Sequence, residues 1–455
     1  MSLHPISLLR HCSELCRVLL KSTQPPRAVL STYLHAKKRY TSDEKALISS
    51  LTYHTLRTLR LCWYIASGED QLPVRMNASM AAKCVATAAF LSEVRVLPQW
   101  KPIDYYVDNP GIELVRSTDM DTAQLTDRVQ HLEERLMNTD DSCAIGIRAS
   151  VPDFMIESWQ QSLDGEAGSA LDLGISFLHP APLVLRVNTT RTSQTMLRES
   201  LHEVGYAVRE HSQLDNALVL DERADVLHSD MYVHGAFEVQ DAGSQVITHA
   251  LAPATQWHVL DACAGGGGKT IHIADLRHDS GSIVATDTEA AKLLGLRRRA
   301  ERLELGSIET HTVPPQGELG RILGCTLFDA VLVDAPCSGS GTARRNPLVK
   351  WKLTPKTLLR LAAIQLDILE RNAALLRPGG VLLYSTCSIL RTENRDVVDL
   401  FLSRHPEFVP ESLSTAFEEA GLSDLLYPTT TFDITLEPML LDSDAYYIAK
   451  FRRIE

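Results

Sequence analysis

Apolar residues change their rhythm along this chain, and the changes divide it. From the start to about residue 145 they recur at helical spacing, as in Leu47, Leu51, Leu56 and Leu59, with Arg57 and Arg60 between them. Ser42-Asp43-Glu44 places acids where a helix begins, and the Ala-rich stretch from Ala78 to Phe90 favours another. This region, 1–145, is predicted to be all-α. Breakers at Asp140, Asp141 and Ser142 mark a linker over 138–149. Shorter pieces then alternate: helices at 154–163 and 169–177, a strand at 183–187, a helix at 194–204 and a strand at 217–220. They predict a small α/β module over 150–235. From Phe237 short apolar runs alternate with long amphipathic stretches. Strands are expected at His258–Leu260, Ser282–Thr286, Ala330–Val333 and Val381–Tyr384, and helices at Thr288–Leu303 and Thr357–Leu376. A turn, Arg377-Pro378-Gly379-Gly380, precedes the last strand. Such alternation predicts a doubly wound parallel α/β domain over 236–455.

Composition changes this picture little. With 455 residues there is room for about three domains. The 44% hydrophobic and 22% charged residues are ordinary for a globular protein. No run of about 18 apolar residues occurs, so no membrane span is expected. The N-terminus reads as a helix rather than a signal peptide. Nine scattered cysteines suit a reducing cytoplasm. Cys12 and Cys16 lie one helical turn apart without a second ligand pair, so no metal is expected.

The net charge of −12 argues against a nucleic-acid partner, but binding needs only a local basic stripe. Three basic clusters occur: Lys37-Lys38-Arg39, Arg297-Arg298-Arg299 with Arg302, and Arg344-Arg345 with Lys350 and Lys352. Each is more often a solvated face. The third has the best claim, because it follows a chemically loaded strand end.

That strand end is FDAVLVDAPCSGSGTARRNP, from Phe328 to Pro347. The buried run stops at Asp334, and Pro336 and Cys337 follow at the edge where open α/β sheets bind ligands. The first strand of the domain ends in Asp261-Ala262-Cys263-Ala264-Gly265-Gly266-Gly267-Gly268-Lys269-Thr270. Its glycines let backbone N–H groups approach a ligand, and a helix N-terminus faces the same pocket. A phosphate-binding loop would need glycine at Cys263, and a dinucleotide loop would need Gly or Ala at Thr270 or Ile271. Both templates fail, so an uncharged or zwitterionic nucleotide-like ligand fits better. The second strand ends at Asp287, about 20 residues on, where a ribose diol would be held. A helix cap would also explain that acid. The last motif, Tyr384-Ser385-Thr386-Cys387-Ser388, brings a second cysteine to the same edge. One cysteine at a strand end is usually a small buried hydrophobe. Two beside an acid and a Gly-rich loop are harder to dismiss.

These pieces resemble the RsmB/Sun family of S-adenosylmethionine-dependent RNA cytosine-5 methyltransferases. The resemblance is carried by FEVQDAGSQ (Phe237–Gln245), VLDACAGGGGKT (Val259–Thr270), VATDTE (Val284–Glu289), DAPCSGSGTARRNP (Asp334–Pro347), RPGGVLLYSTCS (Arg377–Ser388) and LVLRVNTT (Leu183–Thr190). It covers about residues 150–450. More loosely, 27–60 resembles a NusB-like RNA-binding helical domain. The resemblance implies a Rossmann-like class I methyltransferase domain, an RRM-like middle module and a NusB-like start.

It also implies roles. Cytosine carbon 5 is a poor nucleophile until a thiolate adds at carbon 6. By resemblance Cys387 is that nucleophile, and Cys337 assists the later elimination. Asp334 holds the cytosine edge and also borders the cofactor. S-adenosylmethionine lies over Cys263, Ala264, Gly265, Gly266, Gly267, Gly268 and Lys269, and Asp287 holds its ribose. The target base must be unstacked. Arg344, Arg345 and Lys350 are expected to contact phosphate. The implied substrate is ribosomal RNA of the small subunit, and the protein is expected to act as a cytoplasmic monomer. Two departures stand out. Glycine replaces the family's proline near Gly265–Gly266, and the stretch Thr310–Gln316 carries no acid before Glu318. The DSDAYYIAKFRR ending only approximates the family's Asp-Gly-Phe-Phe. Two other readings are a DNA cytosine-5 methyltransferase, with Cys337 as nucleophile and the Thr-Cys motif idle, and a non-catalytic RNA-binding assembly factor.

Overall fold

Thr41, one residue before the expected start, opens the first strongly patterned helix. Its hydroxyl accepts from the Glu44 N–H at 3.2 Å, and the Glu44 carboxylate accepts from the Thr41 N–H at 2.9 Å. This reciprocal cap satisfies two N–H groups that the helix itself cannot pair. The structure, a computed structural model, describes residues 4–94, 111–137, 141–162, 170–220, 225–317, 319–324, 327–426 and 432–454. The linker start at 138–140 and Glu318 lie outside them. The chain divides into two compact units. One is Met1–Pro180 with Thr342–Leu353, and the other is Ala181–Gly341 with Thr354–Glu455.

The first unit is helical. Its main helices are Pro5–Lys21, Pro26–His35, Ser42–Arg57, Leu59–Ser67, Ala78–Val94 and Thr122–Leu136. The expected apolar stripe is real: Leu51, Leu56 and Leu59 are buried with Cys12, Cys16, Cys62 and Cys84 in one core. Cys12 and Cys16 are inert packing thiols, and burial pushes Cys12 up to about 12. Residues 342–353 also belong here, and they correct an expectation. Arg344 and Lys350 are buried rather than free to meet phosphate. The Lys350 ammonium donates to the Arg57 carbonyl at 2.7 Å, and the Arg344 guanidinium donates to the carbonyls of His179 and Pro180. Burial, with Arg57 close by, holds Lys350 well below the ordinary lysine range. Arg345 is half-buried, and Lys352, the exposed member, donates to the Ser22 carbonyl.

The second unit holds two sheets. The smaller is antiparallel, in the order β2 (Val208–Glu210), β3 (Ala217–Leu220), β1 (Leu183–Val187), β4 (Phe237–Val239). Periodicity found β1 and β3 but not the short β2 and β4. The β4 strand lies in the stretch assigned by sequence to the C-terminal domain, yet it pairs with β1. The larger sheet runs β10 (Phe408–Pro410), β12 (Tyr446–Arg453), β9 (Leu376–Thr386), β8 (Phe328–Asp334), β5 (His258–Asp261), β6 (Ser282–Asp287), β7 (Ile308–Thr312), with β11 (Asp433–Leu436) on β12. Strands β5 to β9 are mutually parallel, as the alternation predicts, and β12 is antiparallel to β9. This is the Rossmann-like methyltransferase architecture. The helix before β9 ends at Ala373, earlier than expected. The Arg-Pro-Gly-Gly turn is absorbed into β9, where the register against β8 slips between Phe328 and Ala330. Among the described residues no helix is long and apolar enough to cross a membrane.

Each unit buries neutral histidines. Burial first, then nearby cations, lowers His54 to about 3 and His249 to about 4. A histidine depressed in the fold stabilises it above the unfolded value of about 6.5, and that stability is lost as pH falls. Lowering pH from 7 to 5 should cost about 2 kcal/mol per such histidine. The melting temperature is expected to fall over that interval, and to fall less in His249→Asn. A melting temperature that stays level from pH 7 to 5 would refute it.

Candidate active site

The order of the larger sheet reverses at β5, which has β6 on one side and β8 on the other. Ligand crevices form outside the carboxyl ends of strands at such a switch point. The ends align: Asp261 lies opposite Leu332 and Ala285, and Asp334 opposite Ser385. Residues 263–269, Asp287, Asp334, Cys337 and Cys387 all lie at or just beyond this edge.

The Gly-rich loop follows β5. Its backbone is held by the Ala262 N–H on the Leu332 carbonyl and the Ala264 N–H on the Thr286 carbonyl, both at 2.9 Å. Gly267 has φ +84°, and a Cβ there would stand 2.1 Å from the Leu296 side chain, so only glycine fits. The helix Gly268–Leu276 starts here, and its first N–H groups have no partner within the helix. Thr270 donates to the buried Asp261 carboxylate at 2.6 Å, and burial lifts Asp261 to about 6. Cys263 is partly exposed in the loop, and burial raises its thiol well above the usual range. Asp287, at the tip of β6, accepts from the Gly265 N–H at 3.0 Å and from the Glu289 N–H at 2.8 Å. It thus braces both the loop and the residue before the next helix. The half-buried Asp287 carboxylate, the glycine loop and a helix N-terminus gather here, a set of groups that fits S-adenosylmethionine.

Lys269 turns away from the loop. Its ammonium meets Asp334 at 2.6 Å, and Ser385 donates to the other Asp334 oxygen at 2.9 Å. Burial pulls Lys269 down, but the Asp334 carboxylate outweighs it and the net shift is upward. A fixed cation and a fixed anion therefore share one wall of the crevice. Beside them the Cys337 and Cys387 sulfurs lie 3.3 Å apart, both partly exposed. The hydrogen bond to Cys387, burial, and the negative charges of Cys387 and Glu393 all push the Cys337 thiol well up. At neutral pH Cys337 therefore keeps its hydrogen.

Sequence reading missed the support beneath these thiols. Glu393, Asn394, Ser338 and Ser340 bind the two cysteine loops together. Thr386 donates to the Asn394 side-chain oxygen at 2.7 Å, and the Asn394 amide donates to the Ser388 carbonyl at 3.0 Å. Their one sequence signal was an acid and an amide, Glu393-Asn394, just after a cysteine motif. The Arg297–Arg302 cluster is largely bound internally. Arg299 and Arg302 both pair with buried Glu238 on β4, and Arg299 donates to the Gly266 carbonyl.

Comparison with known proteins gives the same picture. The profile described as 16S rRNA methyltransferase RsmB/F matches residues 248–452, and a ferredoxin-like domain of RsmF/B-like methyltransferases matches 151–227. The chain is 34% identical over 312 residues to a probable ribosomal RNA small subunit methyltransferase B of Bacillus subtilis, covering 68% of each. It is 30% identical over 356 residues to a protein of the same description from Synechocystis, covering 76% of this chain and 78% of that one. A solved methyltransferase homologue from Pyrococcus horikoshii superposes with a TM-score of 0.55 at 25% identity, over 69% of this chain and 99% of that one. With the fold, the crevice and two relatives agreeing, the chain belongs to the 16S rRNA methyltransferase RsmB/F family.

Proposed function

We propose that this methyltransferase modifies carbon 5 of a cytosine in small-subunit ribosomal RNA, with S-adenosylmethionine as donor and Cys387 as covalent nucleophile. The observation that carries the reading is the pair of thiols 3.3 Å apart beside the Lys269–Asp334 pair. A cytosine-5 reaction needs a nucleophile for carbon 6, a group to take the carbon 5 proton and a charged partner for the base edge. All three stand on one wall. The cofactor, held by residues 263–269 and Asp287, supplies an electrophilic methyl group. Everything else is done by side chains of this chain.

Asp334 holds the N3 edge of the cytosine as negative charge develops in the ring, and Lys269 keeps that carboxylate aimed. Cys387 adds at carbon 6, which makes carbon 5 nucleophilic. Cys337, a thiol in the resting site, lies in hydrogen-bond contact with the Cys387 sulfur. Once Cys387 is a thioether, it is no longer an ionisable neighbour of Cys337. Two causes of the raised Cys337 value then vanish, and Cys337 passes its proton to solvent water and acts as base. It takes the proton from carbon 5, the carbon 5–carbon 6 double bond re-forms, and Cys387 leaves as thiolate. The helical region 1–145 and the module 150–235 are proposed to serve the RNA rather than the chemistry.

The test is a covalent trap. RNA carrying 5-fluorocytosine, mixed with protein and labelled S-adenosylmethionine, is expected to give a complex that survives denaturation, because fluorine cannot leave as a proton. No adduct and no methyl transfer on any ribosomal RNA would favour the assembly-factor reading. Asp287→Ala should weaken cofactor binding more than tenfold, about 1.4 kcal/mol. Calorimetric titration measures this, and an unchanged affinity removes Asp287 from the site.

A further inference from the structure

Glu393 is an acid with no exposed surface. A carboxylate in that setting is costly unless its oxygens are fully used. Here they are used by four donors. One oxygen accepts from the Ser338 N–H at 2.7 Å and the Gln365 amide at 3.0 Å. The other accepts from the Ser338 hydroxyl at 2.5 Å and the Ser388 hydroxyl at 2.6 Å. Ser338 is the residue after Cys337, and Ser388 is the residue after Cys387. One buried carboxylate therefore ties the loop that leaves β8 to the loop that leaves β9, one residue beyond each sulfur. Its own backbone is fixed as well, since the Tyr384 hydroxyl donates to the Glu393 carbonyl at 2.6 Å.

A second brace runs beside it. Ser340 and Ser388 hydroxyls meet at 2.9 Å, and the Gly341 N–H donates to the Cys387 carbonyl at 3.0 Å. Gly341 leaves no room for a side chain: a Cβ would stand 2.2 Å from the Ala445 carbonyl oxygen. The hydrogen bonds of this second brace are neutral. The charged acceptor sits at the centre, and bonds to a charged acceptor are about twice as strong as neutral ones.

We infer that Glu393 is the positioning residue of the thiol pair, holding Cys337 and Cys387 in contact by clamping the residue after each. The inference rests on the reading of those cysteines as nucleophile and eliminating thiol. Its effect is geometric, so it can be measured apart from the chemistry. Two thiols held in contact form a disulfide far more readily than two free ones.

The test equilibrates the full-length protein, wild type and Glu393→Gln, with mixtures of reduced and oxidised glutathione. One oxidised glutathione takes two electrons and two protons from Cys337 and Cys387, giving their disulfide and two reduced glutathiones. Mass spectrometry of the linked peptides reads the equilibrium constant, which reports how firmly each sulfur faces the other. Glutamine keeps the shape but replaces one charged acceptor by a donor, so the chain should still fold. Glu393→Gln is expected to lower the constant at least tenfold with a nearly unchanged melting temperature. In the methyl-transfer assay kcat should fall about 100-fold while KM for RNA and cofactor stays within about twofold. An unchanged constant overturns the inference whatever happens to the rate, and so does a fall matched by general unfolding. If the constant falls but kcat holds, Glu393 still positions the thiols, and the catalytic reading of the pair is what fails.

Discussion

Cys387→Ala loses methyl transfer altogether and forms no denaturation-resistant complex with 5-fluorocytosine RNA. The expected fall in kcat/KM is on the order of 10⁴-fold or more, or about 5.4 kcal/mol at 1.36 kcal/mol per tenfold. The size follows from what the sulfur does. Without an adduct at carbon 6, carbon 5 has no electron pair to offer, and in the proposed mechanism Cys337 serves only the later elimination. Asp334 and Lys269 can hold a cytosine edge but cannot activate it. The fold should survive the change. Cys387 is only partly buried, so removing its sulfur should cost about 1 kcal/mol, less than a large-to-small change in a sealed core. Cofactor affinity should also hold, because the loop at 263–269 and Asp287 are braced without Cys387. A denaturing gel of the trapped complex, with a melting curve as control, checks both halves. An adduct that persists in Cys387→Ala but vanishes in Cys337→Ala would move the nucleophile to Cys337, the arrangement expected of a DNA cytosine-5 enzyme.

The parts of this site that sequence made visible share one property: each sits where a buried apolar run ends. Asp261, Asp287, Asp334 and Cys387 stand at or next to the ends of strands that were recognisable because both faces of a parallel strand are buried. The run Ala330–Val333 could be nothing but interior, so what followed it had to be at the edge. Hydrophobic rhythm says nothing about polar residues that are buried for another reason. Ser388 follows the strand and Glu393 lies in the short 3-10 helix Arg391–Glu393, where the two are buried and bonded to one another. Arg344 and Lys350 fail in the opposite sense. As cations after a loaded motif they read as a path for RNA, yet each is covered and donates to backbone carbonyls. Long basic side chains can bury their stems and spend their heads on carbonyls, and composition cannot distinguish that from a phosphate contact. The short strands β2 and β4 went unread because three residues carry too little alternation.

Cys337→Ala should behave unlike Cys387→Ala, although the two sulfurs touch. It retains the nucleophile, the cofactor loop and the Asp334 edge, so addition and methylation proceed. What it lacks is the group that takes the carbon 5 proton. The methylated base then stays bonded to Cys387, and ordinary RNA without fluorine is expected to accumulate as a covalent complex. Steady turnover should fall by about 10²- to 10⁴-fold, the usual worth of a positioned proton acceptor, while the first turnover stays close to the wild-type rate. In the proposed mechanism Cys337 acts only after Cys387 has added to carbon 6. The hydrogen bond to Cys387, burial and the charges of Cys387 and Glu393 all raise the Cys337 thiol. On that proposal Cys337 becomes the base once Cys387 is bonded to carbon 6, which places the two thiols in sequence rather than in competition. Mixing Cys337→Ala with unmodified substrate RNA and S-adenosylmethionine, then running a denaturing gel, reads this directly. The shifted band should appear without fluorine and vanish in the Cys337→Ala, Cys387→Ala double variant. Normal turnover with no shifted band would mean that some other group removes the proton and that the 3.3 Å contact serves only packing.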